Sequence, residues 1–233
     1  MATNPYTTPS AQVEANVVAG VSGAYGAFRR NGTLKTVLVS LLVADSMMVI
    51  FISGVLNFLD MQQYQSEDYL LQEGPSKLDN IIQLSGTAYG LLAIITMVIF
   101  AVWINRSCKN AWLLDPPRMR ITPGWSVGYY FIPILNLWKP FVSMKEIRSA
   151  SYGNDHSLRG ILPMWWMFWI ISGILAQIVL RMYLNVESED SYLMACKLDL
   201  ISVPVDVILN YLAIVVVTSI TIAQERRVTQ WHP

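Results

Sequence analysis

The sequence predicts an all-α membrane protein: four transmembrane helices in two hairpins, plus a broken re-entrant or interfacial segment on the cytoplasmic side. Three observations predict it. Apolar residues make up 54% of the chain and charged residues 14%, against about a quarter charged in soluble domains. Four hydrophobic runs reach the roughly 20 residues that an α-helix needs to cross about 30 Å of hydrocarbon. The basic residues are also divided unequally between the loops.

Residues 1–32 are rich in Ala, Gly, Ser, Thr, Asn and Pro without periodicity and are expected to form a flexible tail. They lack the basic-then-apolar layout of a cleavable signal peptide, so the first hydrophobic helix is expected to serve as an uncleaved anchor. Residues 33–233 are expected to form one membrane domain with spans at about 36–59, 81–104, 161–180 and 200–223.

Residues 124–151 hold the ambiguous piece. Gly124–Trp138 reads GWSVGYYFIPILNLW, and its unbroken apolar run, Val127–Leu135, is short for a crossing. Pro133 and Pro140 each remove a backbone donor and disfavour helix at the residue before. If the segment returns to the side it left, thirteen of sixteen Lys and Arg fall on the cytoplasmic side; as a fifth span it leaves nine against seven. Positive charge in short loops resists translocation, so four spans with both termini inside are expected, with five spans as the alternative. In the four-span arrangement all eight tryptophans fall near the inner boundary, some of them as core packing. A faint repeat agrees: Ile52–Leu56 (ISGVL) resembles Ile171–Leu175 (ISGIL), and Leu92–Ile94 resembles Leu212–Ile214.

From Trp103 to Ser151 the chain carries a set of motifs: Trp103, Arg106, Asn110, Pro123-Gly124-Trp125, Pro133, Asn136-Leu137-Trp138, Pro140 and Glu146. In these residues the chain resembles the bacterial domain-of-unknown-function family 4328. The resemblance implies a bacterial multi-pass membrane protein and implies no reaction.

Asp45 and Asp206 are the carboxylates inside the predicted spans. At 1.5 Å per residue Asp45 lies roughly 14 Å from the cytoplasmic end of its helix and Asp206 roughly 10 Å from the outer end of its own. The two can share a polar layer with Asn57, Gln177 and Asn210. A charge near the bilayer centre costs about 2.5–3.5 kcal/mol, so such groups face the bundle interior or water. They serve either as a proton or cation relay or, more plainly, as hydrogen-bonded glue between helices. The broken segment, through Asn136, Lys139 and its freed carbonyls, can line an anion site or form an interfacial elbow in which Asn136 caps a turn and Lys139 snorkels. Phe141–Ser151, with Lys145 and Arg148 as headgroup candidates beside Phe141, Met144 and Ile147, reads as an amphipathic helix on the inner leaflet. Two polar loops, about Asp60–Asn80 and Asn185–Asp199, carry nine acidic residues against two basic ones and read as a solvated acidic face.

A net charge of zero without a basic arm gives no sign of nucleic-acid binding. Cys108 and Cys196 match no metal-ligand spacing, and His156 and His232 sit in inner-side loops. No Walker loop, dinucleotide fingerprint or nucleophile elbow is present in the sequence. The expectation is therefore a non-enzymatic scaffold or accessory subunit of the bacterial inner membrane. It would need no cofactor, and its partners would be membrane lipids and a homo- or hetero-oligomeric membrane partner. The alternative is a small transporter or channel using the intramembrane carboxylates.

Overall fold

A computed structural model describes residues 24–64, 74, 76–153, 158–186 and 188–231. Most of the expected tail, His156, His232 and the middle of the first acidic loop lie outside the described residues. Within them every regular element is helical: α1 (Gly32–Val49), a π-helical stretch (Ile50–Leu56), α2 (Asn57–Tyr64), α3 (Lys77–Leu114), α4 (Pro123–Gly128), α5 (Lys139–Tyr152), α6 (Ile161–Leu184) and α7 (Glu189–Trp231). Four helical rods among these residues are long and apolar enough to cross a membrane: Gly32–Gln63, Lys77–Leu114, Ile161–Leu184 and Glu189–Thr229.

These helices begin and end beyond the hydrophobic runs, except that α6 starts with its run at Ile161. Hydropathy marks the part that matches hydrocarbon, whereas backbone bonding continues into polar sequence wherever a cap is available. Ser76 and Asp79 form a reciprocal cap for α3: the Asp79 N–H donates to Ser76 Oγ (3.0 Å) and the Ser76 N–H to Asp79 Oδ2 (2.6 Å). Ser188 and Ser191 do the same for α7, at 3.1 and 3.3 Å. Asp199, expected in a polar loop, accordingly lies on α7, and Asp60, also expected in a loop, lies on α2, where the first rod continues past its hydrophobic run. At the other end of α6, Arg181 occupies the last turn, where a cation meets the negative end of the helix dipole.

Prolines shape the broken segment as their chemistry requires. Pro123 opens α4 at its first turn, where a missing N–H costs nothing. A 3-10 turn, Tyr129–Phe131, then leads to Ile132, which is extended (φ −100°, ψ 112°) because Pro133 follows it. A second 3-10 turn, Leu135–Leu137, precedes α5, which carries Pro140 in its first turn. No piece of Gly124–Trp138 is a helix of spanning length.

The chain divides into two compact units. Unit 1 comprises Met1–Lys35, Ala101–Arg159 and Thr218–Pro233; unit 2 comprises Thr36–Phe100 and Gly160–Val217. Unit 1 has a core like that of a soluble domain, with Trp103, Met144, Ile147, Ala150 and Ile220 fully buried. Met144 and Ile147 are thus spent on protein packing, and α5 does not offer lipid the apolar face that its sequence suggests. Unit 2 turns many large apolar side chains outward on all its rods, such as Met47, Leu84, Leu91, Ile174 and Ile201.

Candidate functional site

Two polar systems carry the residues singled out by the sequence. In unit 2 they converge on one face of α7. Asn210 donates to Asp45 Oδ2 (2.8 Å) and to Ser46 Oγ (3.1 Å), tying α1 to α7. Ser172 on α6 donates to Asp206 Oδ1 at 2.5 Å. Asn57 donates to Asp199 Oδ2 (3.0 Å) and to the Cys196 carbonyl (3.1 Å). The Tyr192 hydroxyl donates to Asp60 Oδ2. Tyr89 of α3 lies within electrostatic range of Asp45, Asp199 and Asp206. The four carboxylates therefore engage amides and hydroxyls, and none forms an ion pair among the described residues.

Asp45, Asp206 and Asn210 are brought into one system, with Asn57 as a further member. Gln177, expected in the same layer, is exposed and makes no hydrogen bond there. Sequence reading missed Asp199, Asp60 with its partner Tyr192, and Ser172, the partner of Asp206. The signal was available: 199, 206 and 210 are spaced seven and four apart, which is one helix face. Assigning Asp199 to a loop hid it.

The π-helical stretch explains how both ends of the first rod meet α7. On an uninterrupted α-helix twelve residues turn through about 1200°, so Asp45 and Asn57 would point about 120° apart. A π-helix bonds i to i+5 and turns less per residue, which rotates Asn57 back towards the face of Asp45. Both side chains consequently reach the same helix.

In unit 1 the motif residues act as fasteners. Asn110 Oδ1 accepts from the Arg29 N–H (3.1 Å), while its Nδ2 donates to the Arg29 carbonyl (2.9 Å) and to Gln224 Oε1 (3.3 Å). Gln224 in turn donates to the Ser107 carbonyl and Ser151 Oγ (2.9 and 3.0 Å). Glu146 accepts the backbone N–H groups of Arg120 and Ile121 (2.9 and 3.0 Å), pinning the extended approach to Pro123. Asn105 donates to the Pro123 carbonyl (2.8 Å), which Ser126 Oγ also bonds (2.7 Å). Trp103 donates to Thr221 Oγ1 at 3.0 Å.

The remaining candidates separate. Trp125 and Trp138 are exposed and Gly124 has open space around it, whereas Pro123 and Pro140 are buried. Trp103, Trp165 and Trp166 are core side chains. Lys139 Nζ sits 5.6 Å from the Tyr129 ring centroid, a cation–π distance. The Asn136 side chain caps nothing: its Oδ1 is buried without a partner, and its backbone N–H closes the turn onto the Ile132 carbonyl (2.8 Å). Of the two headgroup candidates, Lys145 is exposed and Arg148 is buried.

No curated protein and no solved structure matches the chain. The family profile described as Domain of unknown function (DUF4328) matches residues 76–222, more than half of the sequence and including the motif-bearing region, α6 and most of α7, and the chain belongs to that family.

Proposed function

We propose that the protein is a non-enzymatic scaffold or accessory subunit of the bacterial inner membrane, with both termini cytoplasmic, that binds lipid and partner membrane helices. One observation carries this reading. The most apolar windows of the four rods are only 17, 17, 6 and 33% buried within the chain. Their polar groups meanwhile bond one another, as glue between helices does. A chain that spends its polar groups inward and its apolar surface outward is built to be covered by acyl chains and other helices. Polymer extraction from native membrane followed by native mass spectrometry tests it. The expected species exceeds the 26.3 kDa chain mass by a protein partner or a second copy. A lone chain carrying only lipid would remove the partner half of the proposal.

A second reading, a proton or cation relay, is favoured by the bonds of Asp45, Asp199 and Asp206, which all fall along one face of α7. It predicts that Asp45→Asn abolishes a proton- or cation-linked flux in liposomes; equal flux in mutant and parent rules it out.

A further inference from the structure

Among the described residues of unit 1 the large exposed apolar side chains are Val102, which lies in the predicted second span, and five others that all fall in one stretch of fourteen residues. These are Trp125 (52% exposed), Phe131 (68%), Ile134 (70%), Leu137 (56%) and Trp138 (44%). Phe131 and Ile134 are among the most exposed large apolar residues described in the chain, and they occupy the proline-broken turns where no long helix forms. A water-facing loop has no use for such a cluster. The sequence around it is cationic: residues 101–159 contain eight Lys and Arg against three Asp and Glu. Arg120 precedes the stretch; Lys139, over the Tyr129 ring, and the exposed Lys145 follow it. Trp125 stacks on Tyr129 with centroids 5.2 Å apart, so the aromatic groups and the Lys139 cation form one assembly. Two of the predicted spans, 81–104 and 200–223, end at residues belonging to unit 1, so the polypeptide delivers this unit to the bilayer surface.

We infer that residues 124–138 are a lipid-embedded wedge: Phe131, Ile134 and Leu137 enter the acyl region of the cytoplasmic leaflet, Trp125 and Trp138 sit at headgroup depth, and Arg120, Lys139 and Lys145 bind anionic phospholipid. Aromatic rings beside cations suit this position, because the rings favour the interface and the cations answer the negative surface potential. The short turns leave backbone groups unbonded, which headgroups and interfacial water satisfy where hydrocarbon does not. The inference rests on the lipid half of the proposed function and gives it a place and a headgroup charge.

The full chain, carrying spin labels at Phe131→Cys, Ile134→Cys, Leu137→Cys or Lys145→Cys, is reconstituted in nanodiscs of phosphatidylcholine alone or with phosphatidylglycerol. Labels at 131, 134 and 137 are expected to collide more with oxygen than with a water-soluble nickel chelate, and the label at 145 to do the reverse. Equal or greater nickel collision at 131 and 134 overturns the wedge and leaves the scaffold reading standing. Labels reached by neither reagent also overturn it, because protein then covers the stretch. Arg120→Gln, Lys139→Gln and Lys145→Gln are each expected to weaken the preference for phosphatidylglycerol roughly fivefold, as about one surface cation is worth. An unchanged preference in the triple variant overturns the headgroup assignment. Of the substituted residues only Lys139 is half-buried, the others being exposed, and the unchanged protection of Cys108 confirms that unit 1 has folded.

Discussion

Unit 1 and unit 2 both bury polar side chains, but with opposite chemistry. Unit 1 uses amides and one carboxylate against backbone groups: Asn110 on Arg29, Gln224 on Ser107 and Glu146 on Arg120 and Ile121. The bonds to Arg29, Arg120 and Ile121 fix irregular stretches of chain that have no helix to satisfy them, and the bond to Ser107 ties α7 to α3. Unit 2 uses carboxylates against side chains on neighbouring helices whose backbones are already bonded. The lesson concerns what a lost group leaves behind. In unit 1 it leaves bare peptide groups, which cost about 1–3 kcal/mol each when buried. In unit 2 it leaves another side chain, and intramembrane side-chain pairs average only about 0.6 kcal/mol.

The buried thiols Cys108 in unit 1 and Cys196 in unit 2 allow the two units to be followed separately by thiol reactivity during heating. The largest effect is expected for Asn110→Ala, which strips partners from both backbone groups of Arg29 and from Gln224. A loss of about 3 kcal/mol should expose Cys108 at lower temperature and leave Cys196 protected. Coincident exposure of both thiols would break the comparison, because the units would then open as one. Next comes insertion of one Ala after Gly54, which adds a residue to the π-helical stretch and turns everything beyond it by roughly a further 80–100°. Asn57 and Asp60 then turn away from α7 and three bonds are lost, a destabilisation of about 1–3 kcal/mol read at Cys196. If Cys196 stays as protected as in the parent, the alignment role of the π-helix is wrong. Glu146→Gln keeps one acceptor oxygen but gives up the charge that strengthens two N–H bonds, and should cost about 1–2 kcal/mol at Cys108. Asp45→Asn should be the mildest, within about 1 kcal/mol of parent stability, since an amide still accepts from Asn210 and no charge remains in hydrocarbon. A loss as large as that of Asn110→Ala would show that the Asp45 carboxylate does in unit 2 what the fasteners do in unit 1.

How much of this was legible beforehand differs between the two systems. The two capping serines, Ser76 and Ser188, stood before helices whose apolar runs start several residues later, so the four long apolar helices were legible and their ends were not. The motif from Trp103 to Glu146 was legible as a pattern. What Asn110 and Glu146 grip was not, because their partners lie 81 residues away in one case and 25–26 in the other. The exposure of Phe131 and Ile134 could not be read from an apolar run, which looks the same whether it faces a core or a lipid.

The pentapeptides Ile52–Leu56 and Ile171–Leu175 mark the limit most clearly. They differ at one aliphatic position, yet the first is part of a π-helix and the second lies in the α-helix α6. The sequence by itself determined the all-helical membrane class, four rods of spanning length and the proline breaks, since these follow from hydropathy and local backbone chemistry. Only the tertiary structure decided the winding of the first rod and the company of its carboxylates. A one-residue change in helical register has little local cost, and it is settled by bonds to α7, more than a hundred residues away.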